Sequence, residues 1–434
     1  MKRVLIIAPD FAPSSLPPAT RVRFFAKYLL EFGWEPIVLT VDPKHYAGTV
    51  DRENERLLSP SLEVIRTGAF STRWTRKFGI GDIGMRSLWQ HWQAIKRLRR
   101  ERKIDLIFIP VPPYVPMVLG RLAHARFGIP YVVDYIDPWV TEYYWKLPRT
   151  QRPPKWRMSY ALSRCLEPFA LRRAQHITGV SRGTTDQVVN RYEWLTASDA
   201  TDIPYGAEAG DFEYLREHPR QNSIFDSKDG KFHLCYVGAY VESMEQTLRA
   251  LFAAFRQGLE RAPSVFEKVV LHFIGTTYST NGSDPFRVTA VARDCGVAEW
   301  IREHPQRVPY LDSLQIMIDA HALILLGSVE PHYTASKVFP YVLAQKPLLA
   351  VFHEDSSVVS ILRDVSGEEV ISFNSAEGPA ARREEIYRRM ETIAQGSSNN
   401  NSINWEALAP YTTNAMAKRL AQELDLALDS ARSA

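Results

Sequence analysis

The sequence predicts an α/β protein made of two Rossmann-like domains that face each other across a cleft. Three observations carry this: apolar runs that alternate with amphipathic helical ones, a restart of that alternation midway, and a polar stretch between the two series. Strands buried on both faces read as nearly unbroken apolar runs, and such strands need helices on either side.

The first series opens with "RVLIIAP" (3–9) as a strand, then "ATRVRFFAKYLLEFG" (19–33) as a helix closed by Gly33. "EPIVLTVDP" (35–43) is the next strand, followed further on by "IDLIFIPVPP" (104–113). A helix over 114–128, the strand "IPYVVDYID" (129–137) and "LRRAQHITGVS" (171–181) complete it. The second series starts at "FHLCYVGAY" (232–240) and the helix 244–260, with strands over 267–277, 307–311, 322–329 and 345–352. This sets a first domain over 1–205, a linker over 206–231 and a second domain over 232–412. "QGSSNNNS" (395–402) reads as a surface loop, and 413–428 as a last amphipathic helix that returns to the first domain.

Composition sets the class. In 434 residues, 45% are hydrophobic and 24% charged, as in an ordinary globular protein with a large core. Three separated cysteines exclude a disulfide framework and a zinc ribbon, and suit a reducing compartment. The apolar run at the N-terminus stops at Ala8 and Pro9, too short for a signal peptide, so a cytoplasmic protein is expected. The net charge of +4 is unevenly placed: residues 72–103 hold ten Lys or Arg against two acids, and 145–176 eight against one. Such stripes suit an anionic lipid surface or a nucleic acid. The helical stretch carries Met85, Leu88, Trp89, Trp92 and Ile95 at core-facing spacing, which favours a buried stripe there. Its basic face, with Trp74 and residues 143–157, makes a peripheral membrane contact the functional alternative.

Six segments in this order resemble the GT-B glycosyltransferases, specifically glycosyltransferase family 4, nearly from end to end. They are "IAPDFAPSSLPPATRVRFFAKYLLEFGWEPIVLTV", "FGIPYVVDYIDPW", "ITGVSRGTTDQVV", "IPYGAEAGDF", "YVGAY" with "RVPYLDSLQIMIDAHALILL", and "SKVFPYVLAQKPLLAV". The resemblance implies transfer of a sugar, with retention, from a nucleotide-diphosphate donor to a glycan, glycolipid or other acceptor, in polysaccharide biosynthesis and not on nucleic acid. Ser336 and Lys337 match the positions whose amides the family aims at the diphosphate, and Lys337 adds a cation there. Gly238 matches the glycine ending the first strand of the donor half, and Pro309 with Tyr310 the loop that seats the base. No acidic metal-binding pair stands out, so no cofactor and no catalytic metal are expected.

This chain departs from the family at the donor site. The ribose-binding glutamate and the acid eight residues before it are Pro340 and His332, with Glu330 nearby as a substitute carboxylate. Ala239 stands where the family carries an arginine. In the first domain Asp134 and Asp137 end a strand, where one would orient the acceptor hydroxyl or take its proton; turn capping before Pro138 is the plainer role of Asp137. Arg21 and Arg23 begin a helix, where cations oppose the macrodipole, which favours a grip on an anion over mere solvation. Two other functions compete with transfer: a non-catalytic partner of an active enzyme, and a sugar-nucleotide epimerase. The partner reading rests on Pro340 and Ala239. The epimerase reading lacks the cluster of acids and bases it needs.

Overall fold

The computed structural model describes residues 1–46, 50–142, 145, 152, 155–277, 286–330, 337–396 and 402–433. It forms two compact units, Met1–Gly206 with Thr413–Ala434, and Ala207–Thr412.

The first unit carries a seven-stranded, all-parallel sheet. Its strands are β1 (Lys2–Ile7), β2 (Trp34–Val41), β3 (Glu63–Thr67), β4 (Leu106–Val111), β5 (Tyr131–Tyr135), β6 (His176–Gly179) and β7 (Ala200–Asp202). The order β3-β2-β1-β4-β5-β6-β7 reverses direction at β1, as in a doubly wound fold. β4 is buried at all of its positions, which is why it reads as an unbroken apolar run. β3 and β7 were not expected from the sequence. They are edge strands, short and half exposed, and edge strands lack the continuous apolar signal. The C-terminal helix Thr413–Ser433 buries Met416, Leu420 and Leu424 at a spacing of four, and its Asp425 accepts the indole N–H of fully buried Trp34 at 2.8 Å.

The second unit repeats the plan with six parallel strands: β8 (Phe232–Val237), β9 (Val269–Ile274), β10 (Ile301–His304), β11 (Ala322–Leu326), β12 (Leu348–His353) and β13 (Ile371–Phe373). Their order is β10-β9-β8-β11-β12-β13. The strand expected at 307–311 is misplaced: β10 ends at His304, and Pro309 caps a helix, Tyr310–Asp319. β13, another three-residue edge strand, escaped the sequence reading. The stretch 206–231 read as a linker is tied into this unit from Ala207 onward. Glu208 caps the helix Ala209–Glu217, Asp211 accepts the Tyr310 hydroxyl at 2.8 Å, and Arg220 pairs with Asp312 at 2.7 Å.

Among the described residues no helix is long and apolar enough to cross a membrane. Of the expected core stripe, Ile95 is buried, Leu88 and Trp92 pack half-buried on the core, and Trp89 turns out to solvent. The helix Ile83–Glu101 buries Ile83, Arg86, Ser87, His91, Ala94, Ile95 and Leu98, while Trp89 is 58% exposed with Lys96 5.8 Å from its ring centre. Arg86 takes an inner position because its guanidinium donates to the carbonyls of Phe70 and His45, at 3.0 and 2.8 Å.

Candidate active site

In the first unit the strand register decides the fate of two expected site residues. β5 places Asp134 between Pro110 and Thr178 on the neighbouring strands. Asp134 is fully buried and accepts two parallel bonds from Arg21, Nε to Oδ2 and Nη2 to Oδ1, both at 2.7 Å, plus one from the Thr178 hydroxyl at 2.7 Å. Arg21 is equally buried, with Phe25 and Tyr205 ring centres 4.8 and 5.3 Å away. This corrects both expectations. Asp134 has spent its charge on Arg21, so neither orients an acceptor nor grips an anion. A forked guanidinium on a carboxylate explains why a cation sits at the start of the helix Pro17–Tyr28. Arg23 is 4% exposed beside Phe24, so it too is interior rather than solvated.

Asp137 differs. It lies two residues past β5, exposed, while its carbonyl accepts the Tyr114 hydroxyl at 3.2 Å. Partial desolvation raises its carboxyl above the ordinary value. Of the two aspartates expected at this strand end, only Asp137 keeps a carboxylate open to a ligand.

In the second unit, β8 runs directly into Gly238, whose φ of +139° falls where side chains are rarely tolerated. The Lys337 side chain lies against it: a Cβ on Gly238 would stand 3.4 Å from its Cδ and 3.5 Å from its Nζ. The ammonium donates to the hydroxyl of Tyr236 and sits 3.9 Å from that ring's centre. The Tyr236 hydroxyl in turn donates to the carbonyl of Ala239 at 2.7 Å. Tyr341 locks the same turn: its hydroxyl accepts the N–H of Val237 at 2.7 Å and donates to the Val237 carbonyl at 3.2 Å. Burial pulls the Lys337 ammonium down to about 7, and no carboxylate pairs with it among the described residues. Neither tyrosine was singled out from sequence; an aromatic two residues before the strand-end glycine is the only trace of one.

Lys337 caps a short helix, Val338–Leu343, and Pro340 is its third residue. The first internal bond runs from the Tyr341 N–H to the Lys337 carbonyl at 3.3 Å, so the proline removes no donor the helix uses. Ala239 offers the turn its carbonyl and no cation. Glu330 is exposed past β11, with its backbone N–H on the Ser328 hydroxyl at 3.1 Å. Tyr310 does not present its ring end to a base, since its hydroxyl is taken by Asp211, although the backbone at Pro309 still opens the helix Tyr310–Asp319. Ser336 and His332 lie outside the described residues, as does most of 143–157. The described residues hold no group of three or more His, Cys, Asp or Glu placed to bind a metal.

Residues 18–206 match the family described as Glycosyl transferase 4-like domain. No curated protein matches the chain by sequence. Among solved structures, HepE from Anabaena in complex with UDP and glucose superposes with a TM-score of 0.58 at 13% identity, over 98% of this chain and 100% of its own. A glycosyltransferase from Rickettsia africae gives 0.55 at 12% identity, with 98% of each chain covered. The UDP-forming α,α-trehalose-phosphate synthase of Burkholderia xenovorans, in complex with glucose-6-phosphate, gives 0.57 at 12% over 98% of this chain and 100% of its own. At these identities the likeness fixes the fold, which is GT-B.

Proposed function

We propose that this chain, GT-B in fold and matching the glycosyl transferase 4-like model over residues 18–206, is a family 4-like glycosyltransferase that moves a sugar from a nucleotide diphosphate onto the hydroxyl of a glycan or glycolipid acceptor. The observation that carries this reading is Lys337, a half-buried cation with no counter-ion among the described residues, lying on the Tyr236 ring beside Gly238. A buried cation of that kind lacks its compensating charge until an anion arrives. The diphosphate is that anion, and Lys337 meets the charge that grows on it as the glycosidic bond breaks. Uridine is the favoured base, because the similar HepE structures hold UDP. Glu330, exposed past β11, is the candidate carboxylate for the ribose by its place in the sequence, and Asp137 is the carboxylate at the first unit's strand end.

Transfer with retention completes the reading, as does independence from divalent metal, since Lys337 and backbone amides supply the positive charge. Titration calorimetry with UDP tests the donor site. Binding that survives chelation and weakens on Lys337→Ala supports the assignment; binding unaffected by Lys337→Ala sinks it. The anomeric configuration of the product by proton NMR tests retention.

The first unit also fits a peripheral contact with anionic lipid, as polysaccharide assembly at a membrane requires. Trp74 and Trp89 are 68% and 58% exposed, Lys77 lies 4.8 Å from the Trp74 ring centre, and Arg97, Arg99 and Arg100 are exposed beyond them. The protein should sediment with vesicles containing phosphatidylglycerol and come off at high salt. Equal sedimentation with neutral vesicles overturns the lipid reading.

A further inference from the structure

Asp10 leaves the carboxyl edge of the first sheet three residues after β1. Ligands of parallel α/β sheets bind along that edge. The backbone there is held firmly. The Phe11 N–H donates to the Tyr46 hydroxyl at 3.1 Å, and that hydroxyl donates to the Phe11 carbonyl at 3.1 Å and lies 3.1 Å from Thr40 Oγ1. The Asp10 carboxyl itself is half-buried, and among the described residues it makes no hydrogen bond and no ion pair. A fixed loop therefore presents an unspent acid.

Three groups interact with its charge: Asp82 and Arg86 at the start of the helix Ile83–Glu101, and Tyr46. Asp82 is committed to capping that helix, its Oδ1 accepting the Met85 N–H at 2.8 Å. Arg86 has given both terminal nitrogens to backbone carbonyls, and its buried Nε has no partner. Asp10, Asp82 and Arg86 thus sum to one negative formal charge. One carboxylate with an arginine donor behind it suits an uncharged polyol better than a phosphorylated group.

We propose that Asp10 is the acceptor-binding carboxylate of this glycosyltransferase, taking a hydrogen bond from a hydroxyl of a carbohydrate acceptor. The assignment rests on the reading of the chain as a sugar transferase with a hydroxyl acceptor. A carboxylate accepts through two oxygens and bonds hydroxyls more strongly than a neutral acceptor does. It does so only when ionised. Burial first, and Asp82 second, lift the Asp10 carboxyl to about 6, against the pull of Arg86. Acceptor binding therefore strengthens as pH rises through about 6. Asp134 has no such freedom, being bound to Arg21.

The test uses the full chain, with UDP-glucose, UDP-galactose and UDP-N-acetylglucosamine as donors and a set of p-nitrophenyl glycosides as acceptors. Asp10→Asn should raise the acceptor KM by about ten-fold or more at pH 7.5, the loss of a hydrogen bond to a charged group. It should leave UDP affinity unchanged and the melting temperature no lower, because the folded state already penalises this charge at neutral pH. Asp82→Asn keeps the cap, since asparagine caps as well as aspartate. It removes one charge, so the acid limb of the acceptor KM should move to lower pH. An active wild type whose acceptor KM and acid limb ignore both substitutions overturns the Asp10 assignment alone. UDP binding with no transfer to any glycoside overturns the carbohydrate acceptor and Asp10 with it. No UDP or UDP-sugar binding overturns the transferase reading itself. Should Asp10→Asn fail to fold, the acid limb of Asp82→Asn decides the matter.

Discussion

Each unit of this protein hides a cation against aromatic rings, and the two have opposite fates. Arg21 lies beside Phe25 and Tyr205 and is closed by both oxygens of Asp134. Lys337 lies on Tyr236 and has a phenol, but among the described residues no carboxylate, for company. Burial alone does not mark function. The missing counter-charge does: a paired buried cation is architecture, and an unpaired one waits for an anion.

Breaking the first pair should give the largest effect. Asp134→Ala leaves the Arg21 guanidinium in the core without a carboxylate, and removing one partner of a buried pair costs about 3–5 kcal/mol. Urea unfolding should show that loss. Replacing both residues by apolar ones of similar volume, Arg21→Met with Asp134→Leu, should recover most of it. A single variant that unfolds like the wild type would mean the pair is not what holds β5 to the helix Pro17–Tyr28.

The same operation on the second cation should do the reverse. Lys337→Ala should lower turnover by ~100-fold, the scale of one lost electrostatic donor at a developing charge. It should also raise the melting temperature near pH 7. Burial lowers this ammonium to about 7, so the unfolded chain binds its proton more tightly and the lysine opposes folding at and below neutral pH. The sign carries into binding. UDP affinity should fall as pH rises through about 7, where Lys337 loses its charge, and a flat profile would separate Lys337 from the diphosphate.

Much of this difference was out of reach of the sequence. Strand runs such as β4 announce themselves because each residue is buried, and so the sheet's centre and both units were legible. Edge strands β3, β7 and β13 were not, because half-exposed residues carry no run. Arg21 and Asp134 stand 113 positions apart, and only the register of β5 beside the first helix makes them partners. Lys337 was visible as a cation before a helix, yet its seat on Tyr236 depends on two strand ends meeting. Asp10 reads as a plain loop aspartate, since its burial comes from the fold and the charges that act on it, Asp82 and Arg86, stand more than seventy residues away. Trp89 followed the helical spacing of a core residue and still faces out, because Arg86 found carbonyls to bind and took the inner side.

A weaker version of the unpaired-base theme lies at the other side of the second unit. His233 Nδ1 and His272 Nε2 share one hydrogen bond at 2.9 Å, and both rings are nearly inaccessible. Burial first, then the neighbouring His233 and His304, hold His272 at about 3. An unfolded histidine takes its proton near 6.5, so stability is complete above that value and drains as pH falls. Between pH 7 and 5 the loss from this one group is about 2 kcal/mol. His272→Gln should flatten the acid limb of stability while leaving turnover at pH 7 intact. An unchanged limb would place the acid sensitivity elsewhere.

The smallest expected effect concerns Pro340, where the comparison can be sharpened by adding a charge instead of removing one. The third residue of the helix Val338–Leu343 needs no N–H, so proline and glutamate fit the backbone equally. A carboxylate in a helix's first turn is favoured by the dipole, by about 0.3–1 kcal/mol, so Pro340→Glu should not destabilise the fold. If residue 340 faces the ribose, the new carboxylate should gain about 1 kcal/mol, or ~5-fold in UDP affinity, from one hydrogen bond. The control is a nucleotide without the hydroxyls. UDP should bind Pro340→Glu more tightly than it binds the wild type, while 2′,3′-dideoxy-UDP should show no gain. An equal gain for both would make the effect one of field and not of ribose contact. No gain for either would leave the ribose to Glu330, whose replacement by glutamine should then weaken UDP and spare the dideoxy analogue.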